Sequence, residues 1–382
     1  MSLLKLYSSF PLKIDYAQKS QIFDKNGRVY IDTFSGIGAL PFGHSHPELI
    51  NTMKRKMERY THLSNFILDD DAVYVAQKLV RFTGQKGLVY FSNSGAEAVE
   101  AALKLIRKIS TNKKNKIVYF SGAFHGRTLG ALSINGIKKQ REPFLPLLSD
   151  TVELPFNDTK RFNTYMEEHA KSTIAVVLEA VQGAGGIKPL NSEFANAIRD
   201  WKQRYNFLLV CDEVQAGMGR TGKMFSYRHF SLLPNLITVA KALGGGLPLG
   251  ALIMLEPYTD VFKPGEHGST FAPNPVSLAG ARYVVDNLPA LLDDVVIKGD
   301  YFKKRLKGMK SDRIADIRGI GLMLAVELRQ SSPALADIAF ENGLLINIIQ
   351  GKIIRLLPAL NISRKMIDNM VEKLEYILGT LQ

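Results

Sequence analysis

The chain has one cysteine, Cys211, in 382 residues. A lone thiol excludes an internal disulfide. Its setting, the apolar run "FLLVCDE", points to a buried, inert group in a cytoplasmic protein. No apolar run approaches the roughly 18 residues that a membrane-spanning helix needs. The N-terminus, "MSLLKLYSSFPLKIDYAQKS", lacks the sustained apolar core of a signal peptide. Low-complexity segments, internal repeats and long linkers are also missing. So are zinc-finger spacings and aromatic RNA-binding signatures.

What is present is an ordinary globular composition, 46% hydrophobic and 22% charged. The length allows two domains, or one large α/β core with an appendage. A formal charge of +13 invites a nucleic-acid reading. However, the basic residues are scattered among helix formers, as in "NTMKRKMERY" and "STNKKNKIVYF". That pattern favours a solvated basic surface with some attraction for anionic metabolites, and neither nucleic acid nor membrane is expected as a partner.

Short β-rich runs alternate with helical patterns. They are "GLVYFS" (87–92), "KIVYFS" (116–121), "IAVVLEA" (174–180), "FLLVCDE" (207–213), "LITVAK" (236–241) and "GALIML" (250–255). Helical patterns cover Glu97–Ile109 and Glu193–Tyr205. Apolar runs without alternation, separated by helices, predict an α/β fold with a mostly parallel sheet covered on both faces. Ligands in such sheets sit at the carboxyl ends of the strands. The tail differs. "ADIRGIGLMLAVEL" (315–328) and "KIIRLLPAL" (352–360) read as strands. Ile367, Met370, Val371, Leu374, Ile377, Leu378 and Leu381 recur at helical spacing. The expected division is a large domain over 46–279 and a smaller α+β domain over 280–382. Residues 1–45 are expected to pack with the smaller one.

Polar residues at strand exits carry the chemistry. Lys241 ends a buried strand before three glycines. Desolvation lowers a lysine's pKa and favours a nucleophilic amine able to form a Schiff base. A lysine snorkelling off a strand end fits the same pattern. Asp212 leaves the preceding strand. It reads as a helix cap, or as the partner of a protonated ring nitrogen such as that of pyridoxal phosphate. Ser94 and Glu97 form a capping box, and a helix N-terminus with Gly95 can receive a phosphate. Phe124 can cover a flat ring or join the core. Arg127 can bind a carboxylate bidentately or lie on the surface. "GHSHP" (43–47) offers His44 and His46 but no third metal ligand nearby, so a structural turn is expected and no metal.

Together these pieces resemble the class III, fold-type I pyridoxal-phosphate aminotransferases, in the acetylornithine and N-acyl-diaminopimelate aminotransferase branch. The ordered set is "NSGAEA", "FHGRTLG", "DEVQAGMGRTG", "AKALGGGLPLGA" and "HGSTFAPNP". The resemblance runs from "DKNGRVYIDTFSGIGALPFGHSHP" to "IIRLLPAL".

The resemblance implies a role for each matching residue. Lys241 holds pyridoxal 5'-phosphate as a Schiff base and shuttles the substrate proton. Asp212 pairs with the ring nitrogen. Val214 and Phe124 sandwich the ring, and Gln215 bonds its hydroxyl. Ser94, Gly95 and Ala96 hold the phosphate. Thr270 reaches the phosphate of the other subunit, so the active unit is a homodimer. Ser269 approaches substrate, Arg127 receives its acylated end, and Arg355 takes the carboxylate of glutamate.

The implied activity moves the amino group of an N-acylated diamino acid of the N-acetylornithine type to 2-oxoglutarate. It gives a semialdehyde or keto product and glutamate, with ping-pong kinetics, in arginine or lysine biosynthesis. Rival readings are an N-acyl-LL-diaminopimelate enzyme, an ornithine or 4-aminobutyrate type, and another reaction on the same cofactor. A non-catalytic binding protein is a further rival. An intact Lys241, Asp212 and Gln215 argue against it.

One departure bears on substrate. Many members of this family read "QGEGG" where this chain has "QGAGG" (182–186). The glutamate there covers the arginine matching Arg355 when the reacting amine has no adjacent carboxylate. Ala184 cannot. Glu179 is retained but matches a different carboxylate. Losing one partner of a buried ion pair costs about 3–5 kcal/mol, so Arg355 is expected to be hydrated, paired elsewhere or open for substrate.

Overall fold

The computed structural model describes residues 4–7 and 9–381 of the chain. Its centre is a seven-stranded sheet. The order is Gly87–Ser92, Gly250–Leu255, Leu236–Val239, Leu208–Asp212, Thr173–Leu178, Lys116–Phe120, Thr151–Leu154. Four neighbouring pairs are parallel. Gly250–Leu255 runs antiparallel to both of its neighbours. An apolar run buried on both faces carries no mark of its direction, so the sequence does not reveal that reversal. Alternate residues feed two cores. Leu209 and Cys211 face one, and Leu208 and Val210 the other.

Helices cover both faces of this sheet. Gly95–Ile109 buries Ala98, Ala101 and Ala102, whose small side chains let it lie close, and also Leu103, Leu105 and Ile106. Pro47–Met57, Asp70–Thr83 and Pro275–Asn287 are joined by charge. Lys56 Nζ is 2.7 Å from Asp71 and 3.2 Å from Asp69. Arg282 is 2.7 Å from Asp71.

Two smaller sheets flank the centre. In one, Ile314–Ile320, Met323–Leu328, Ile353–Leu356 and Asn347–Ile349 are antiparallel neighbours. The helix Arg364–Thr380 buries Ile367, Met370, Val371, Leu374, Ile377 and Leu378, as the spacing predicts. In the other, Ile14–Gln18, Gln21–Asp24 and Val29–Asp32 are completed by Leu344–Leu345. The start of the chain is thus stitched to its far end. Thr33 Oγ1 donates to the Leu345 carbonyl at 2.8 Å. No helix among the described residues is long and apolar enough to cross a membrane.

Candidate active site

The strand exits converge on one cavity of about 690 Å³. Ser94, Gly95 and Ala96 follow the strand Gly87–Ser92. Phe124, His125 and Arg127 follow Lys116–Phe120. Glu179 and Ala184 follow Thr173–Leu178. Asp212, Val214 and Gln215 lie at and beyond the end of Leu208–Asp212. Lys241 follows Leu236–Val239, and Arg355 enters from the C-terminal sheet. Of the residues singled out in the sequence, only Ser269 and Thr270 lie outside this lining.

Ser94 caps its helix by accepting the Glu97 N–H at 3.2 Å. Glu97 takes the Asn93 N–H in return. Gly95 meets a second demand there besides an open backbone. A Cβ on it would sit 2.8 Å from a Val214 methyl.

Lys241 has a left-handed backbone, φ 47°. That conformation costs a non-glycine residue about 1–2 kcal/mol. It is held by the tight turn Lys241–Gly244, which Gly245 closes at φ 60°. Burial pushes the Lys241 amine below its ordinary pKa. Asp212 and Glu179 oppose that shift, and Arg355 adds to it.

Asp212 is buried and doubly held. Its Oδ1 accepts the Val214 N–H at 3.0 Å. Its Oδ2 is 2.7 Å from His125 Nδ1. A carboxylate only accepts, so Nδ1 carries the proton. Burial alone lowers the histidine's pKa, but the Asp212 hydrogen bond and charge outweigh it and the pKa rises. His125 Nε2 is buried with no protein partner. Sequence reasoning missed His125. The available signal was its place between Phe124 and Arg127, beside two residues already marked.

Glu179 fastens the opposite wall. It accepts N–H groups from Phe124 and Gly183, each at 3.0 Å. Burial is the largest cause raising its pKa to about 7, with Asp212 adding and His125 opposing. Phe124 presents its ring to the Arg127 guanidinium, 5.4 Å from the centroid.

Arg355 is 7% exposed, and both of its partners are neutral. Nε donates to Asn347 Oδ1 at 3.0 Å and Nη1 to Gln215 Oε1 at 3.2 Å. Burial pushes its pKa down to about 10, with Glu179 acting the other way. Ala184 faces the same cavity. Its loop is held by Arg318, whose Nε and Nη2 donate to the Gly186 carbonyl at 2.9 and 2.6 Å.

Ser269 is tied to the cavity's edge. Its hydroxyl accepts from Asn93 Nδ2 at 3.0 Å, while Thr270 beside it is exposed. In "GHSHP", His44 Nε2 lies 2.8 Å from Asp32. His46 precedes Pro47 at a helix start.

The family described as Aminotransferase class-III matches residues 5–378. An acetylornithine aminotransferase of Aquifex aeolicus is 38% identical over 379 residues, covering 98% of this chain and 99% of that protein. An acetylornithine/succinyldiaminopimelate aminotransferase of Photorhabdus laumondii is 38% identical over 391 residues, covering 99% and 96%. The crystal structure of the ornithine aminotransferase from Toxoplasma gondii superposes with a TM-score of 0.92 at 26% identity, covering 99% of this chain and 92% of that one. Likeness over the full length and a buried lysine facing a histidine-held aspartate lead to one assignment: the chain belongs to the class-III aminotransferase family.

Proposed function

We propose that this aminotransferase uses pyridoxal 5'-phosphate to move the amino group of an N-acylated diamino acid of the N-acetylornithine type to 2-oxoglutarate. The products are a semialdehyde or keto compound and glutamate. One observation carries the reading. A buried amine, Lys241, shares a cavity with the Asp212–His125 pair and with two arginines, Arg127 and Arg355.

The residues present fit the cofactor. Lys241 has an amine pushed toward its neutral form, as covalent attachment requires. Asp212 is fixed by His125 and Val214, and so is placed to keep a ring nitrogen protonated. Phe124 and Val214 would flank the ring, and Gln215 would reach its hydroxyl. Ser94, Gly95 and Ala96 open a helix of 15 residues, a setting that attracts phosphate. When bound, pyridoxal phosphate supplies an electron sink for the reacting carbon.

The protein's own part is orientation and proton movement. Lys241 Nζ accepts the proton from the donor's reacting carbon. Arg355 orients a carboxylate through its planar fork, and Arg127 receives the far end of the donor. The buried walls keep water away from the amine.

Arg355 also favours a second reading. With only neutral amides as partners, it stays open to a carboxylate in both half-reactions. N-acyl-LL-diaminopimelate always offers one beside its reacting amine, whereas N-acetylornithine does not. Ornithine and 4-aminobutyrate types are weaker candidates on the same ground.

We propose further that the active unit is a cytoplasmic homodimer. Phe66 is fully exposed, and Leu68 and Phe271 are exposed beside it in kind. A second cavity of about 690 Å³ is lined by Leu68, Ala72, Val73, Leu88 and Pro273, an apolar surface suited to a second copy. Exposed Thr270 fits a residue that completes the other copy's site. Residues 46–279 are proposed as the large domain, with 280–382 and 1–45 forming the small one.

A panel of amino donors with 2-oxoglutarate tests the reading. Glutamate should form with N-acyl diamino acids, and the purified protein should be yellow until treated with borohydride. A colourless protein that forms no glutamate from any of the donors sinks it.

A further inference from the structure

One wall of the cavity has a backbone that runs against side-chain sterics. Ser35, Gly36, Ile37 and Gly38 have φ of 44, 61, 60 and 82°. Gly36 and Ile37 have ψ of 35 and 42°. Successive residues in this region make a left-handed turn. Such a turn drives Cβ toward the following carbonyl, and a β-branched side chain is the least suited to it. Glycine at 36 and 38 fits the turn. Isoleucine at 37 does not.

The turn is held firmly. Asp32 Oδ1 accepts the N–H groups of Phe34 and Ser35, each at 2.9 Å. Asp32 Oδ2 is 2.8 Å from His44 Nε2. The Gly38 N–H donates to the Phe34 carbonyl at 2.9 Å. The turn is also joined to the stretch that carries Arg355. Leu357 N donates to Thr33 O at 2.9 Å, and Leu360 N to Pro41 O at 2.7 Å. Ile37 and Arg355 therefore sit on one stitched body.

Packing does not explain the isoleucine. It is 36% exposed and belongs to none of the buried cores. It does line the cavity, with Gly36 and Ala39. A strained conformation persists only where its surroundings over-determine it, and such strain gathers at ligand sites.

We infer that Ile37 is a specificity-determining residue that packs on the aliphatic chain of the amino donor, with Asp32 and His44 as the positioning residues that hold it there. The inference rests on the aminotransferase reading above. It assigns the apolar part of the substrate to one side chain. A donor with several methylenes between its two ends gains most from this wall. 2-Oxoglutarate, shorter and charged at both ends, gains little.

The test uses Ile37→Asn, Ile37→Gly and Ile37→Val in the full-length holoenzyme. Asparagine tolerates the left-handed region, so Ile37→Asn should melt at a higher temperature than the parent. Its kcat/KM for a long-chain N-acyl donor should fall at least about tenfold, the scale of losing part of a buried aliphatic side chain. The KM for 2-oxoglutarate should stay within about twofold. Ile37→Val should keep most of the donor kcat/KM and gain no melting temperature. Unchanged donor kcat/KM in both the Asn and Gly variants overturns the specificity role. So does an equal loss for donor and 2-oxoglutarate. A lower melting temperature in both variants overturns the strain argument. A parent enzyme with no transamination at all sinks the aminotransferase reading instead, and the melting comparison still reports on the turn.

Discussion

His125 Nδ1 donates to Asp212 Oδ2 across 2.7 Å, and both side chains are shut away from solvent. The imidazole thereby fixes the position of the carboxylate and offsets its charge. Removing it leaves Asp212 with the Val214 N–H alone. His125→Leu should weaken pyridoxal phosphate binding at least about tenfold and lower kcat further. Titration of cofactor-free protein, followed by absorbance, reads the first effect. His125→Asn, which can still donate, should recover part of it. Equal affinity in all three proteins refutes the role.

Lys241 makes the cofactor-free protein sensitive to alkali in an unusual direction. Its folded pKa lies below the ordinary 10.5 because the amine is buried. Between the lowered value and 10.5, the unfolded chain holds a proton that the folded chain does not. This residue's contribution to stability therefore rises with pH through that window. Lys241→Met should abolish turnover, raise the stability of the cofactor-free protein at neutral pH, and remove this part of the slope. Urea unfolding across the window measures it. Parallel stability curves for the two proteins contradict the assignment.

Ala184 leaves Arg355 without a charged cover. Ala184→Glu should place a carboxylate in the cavity against the guanidinium. The KM for 2-oxoglutarate should rise several-fold, because the added group competes for Arg355. N-acetylornithine should gain relative to N-acyl-diaminopimelate. The ratio of specificity constants for the two donors decides. A strong preference for acetylornithine that the substitution leaves unchanged defeats the open-arginine reading.

Lys56 is the shared cation for Asp69 and Asp71. Lys56→Met strands Asp69 in a buried position, while Asp71 keeps Arg282. The loss should be about 3–5 kcal/mol in chemical denaturation. A loss under about 1 kcal/mol would place the pair among the weakly coupled kind found at surfaces.

Much of this architecture is legible from the sequence because the pattern is local. The helix Gly95–Ile109 announces itself through Ser94, Glu97 and an apolar face. The strand Leu208–Asp212 does so through an unbroken apolar run that ends in a carboxylate. What escaped depends on distant parts of the chain. Thr151–Leu154 is a half-buried edge strand with little apolar signal. The direction of Gly250–Leu255 is set by its neighbours rather than by its composition. His125 looks like any core histidine until Asp212 arrives beside it from another strand. The left-handed turn at Ser35–Gly38 is half written in glycines, and Ile37 conceals the rest.

The pairing of Val29–Asp32 with Leu344–Leu345 has a consequence during synthesis. The first strands of this protein leave the ribosome long before the strand that completes their sheet. The separation is 312 residues along the chain. At about 5–20 residues per second, the N-terminal strands wait roughly 15–60 s with an unpaired edge. Through that interval Ile14, Tyr16 and Val29, still exposed in the finished sheet, are open to any passing strand. The turn that carries Ile37 is in the same position, because the stretch that locks it to Arg355 is made almost last.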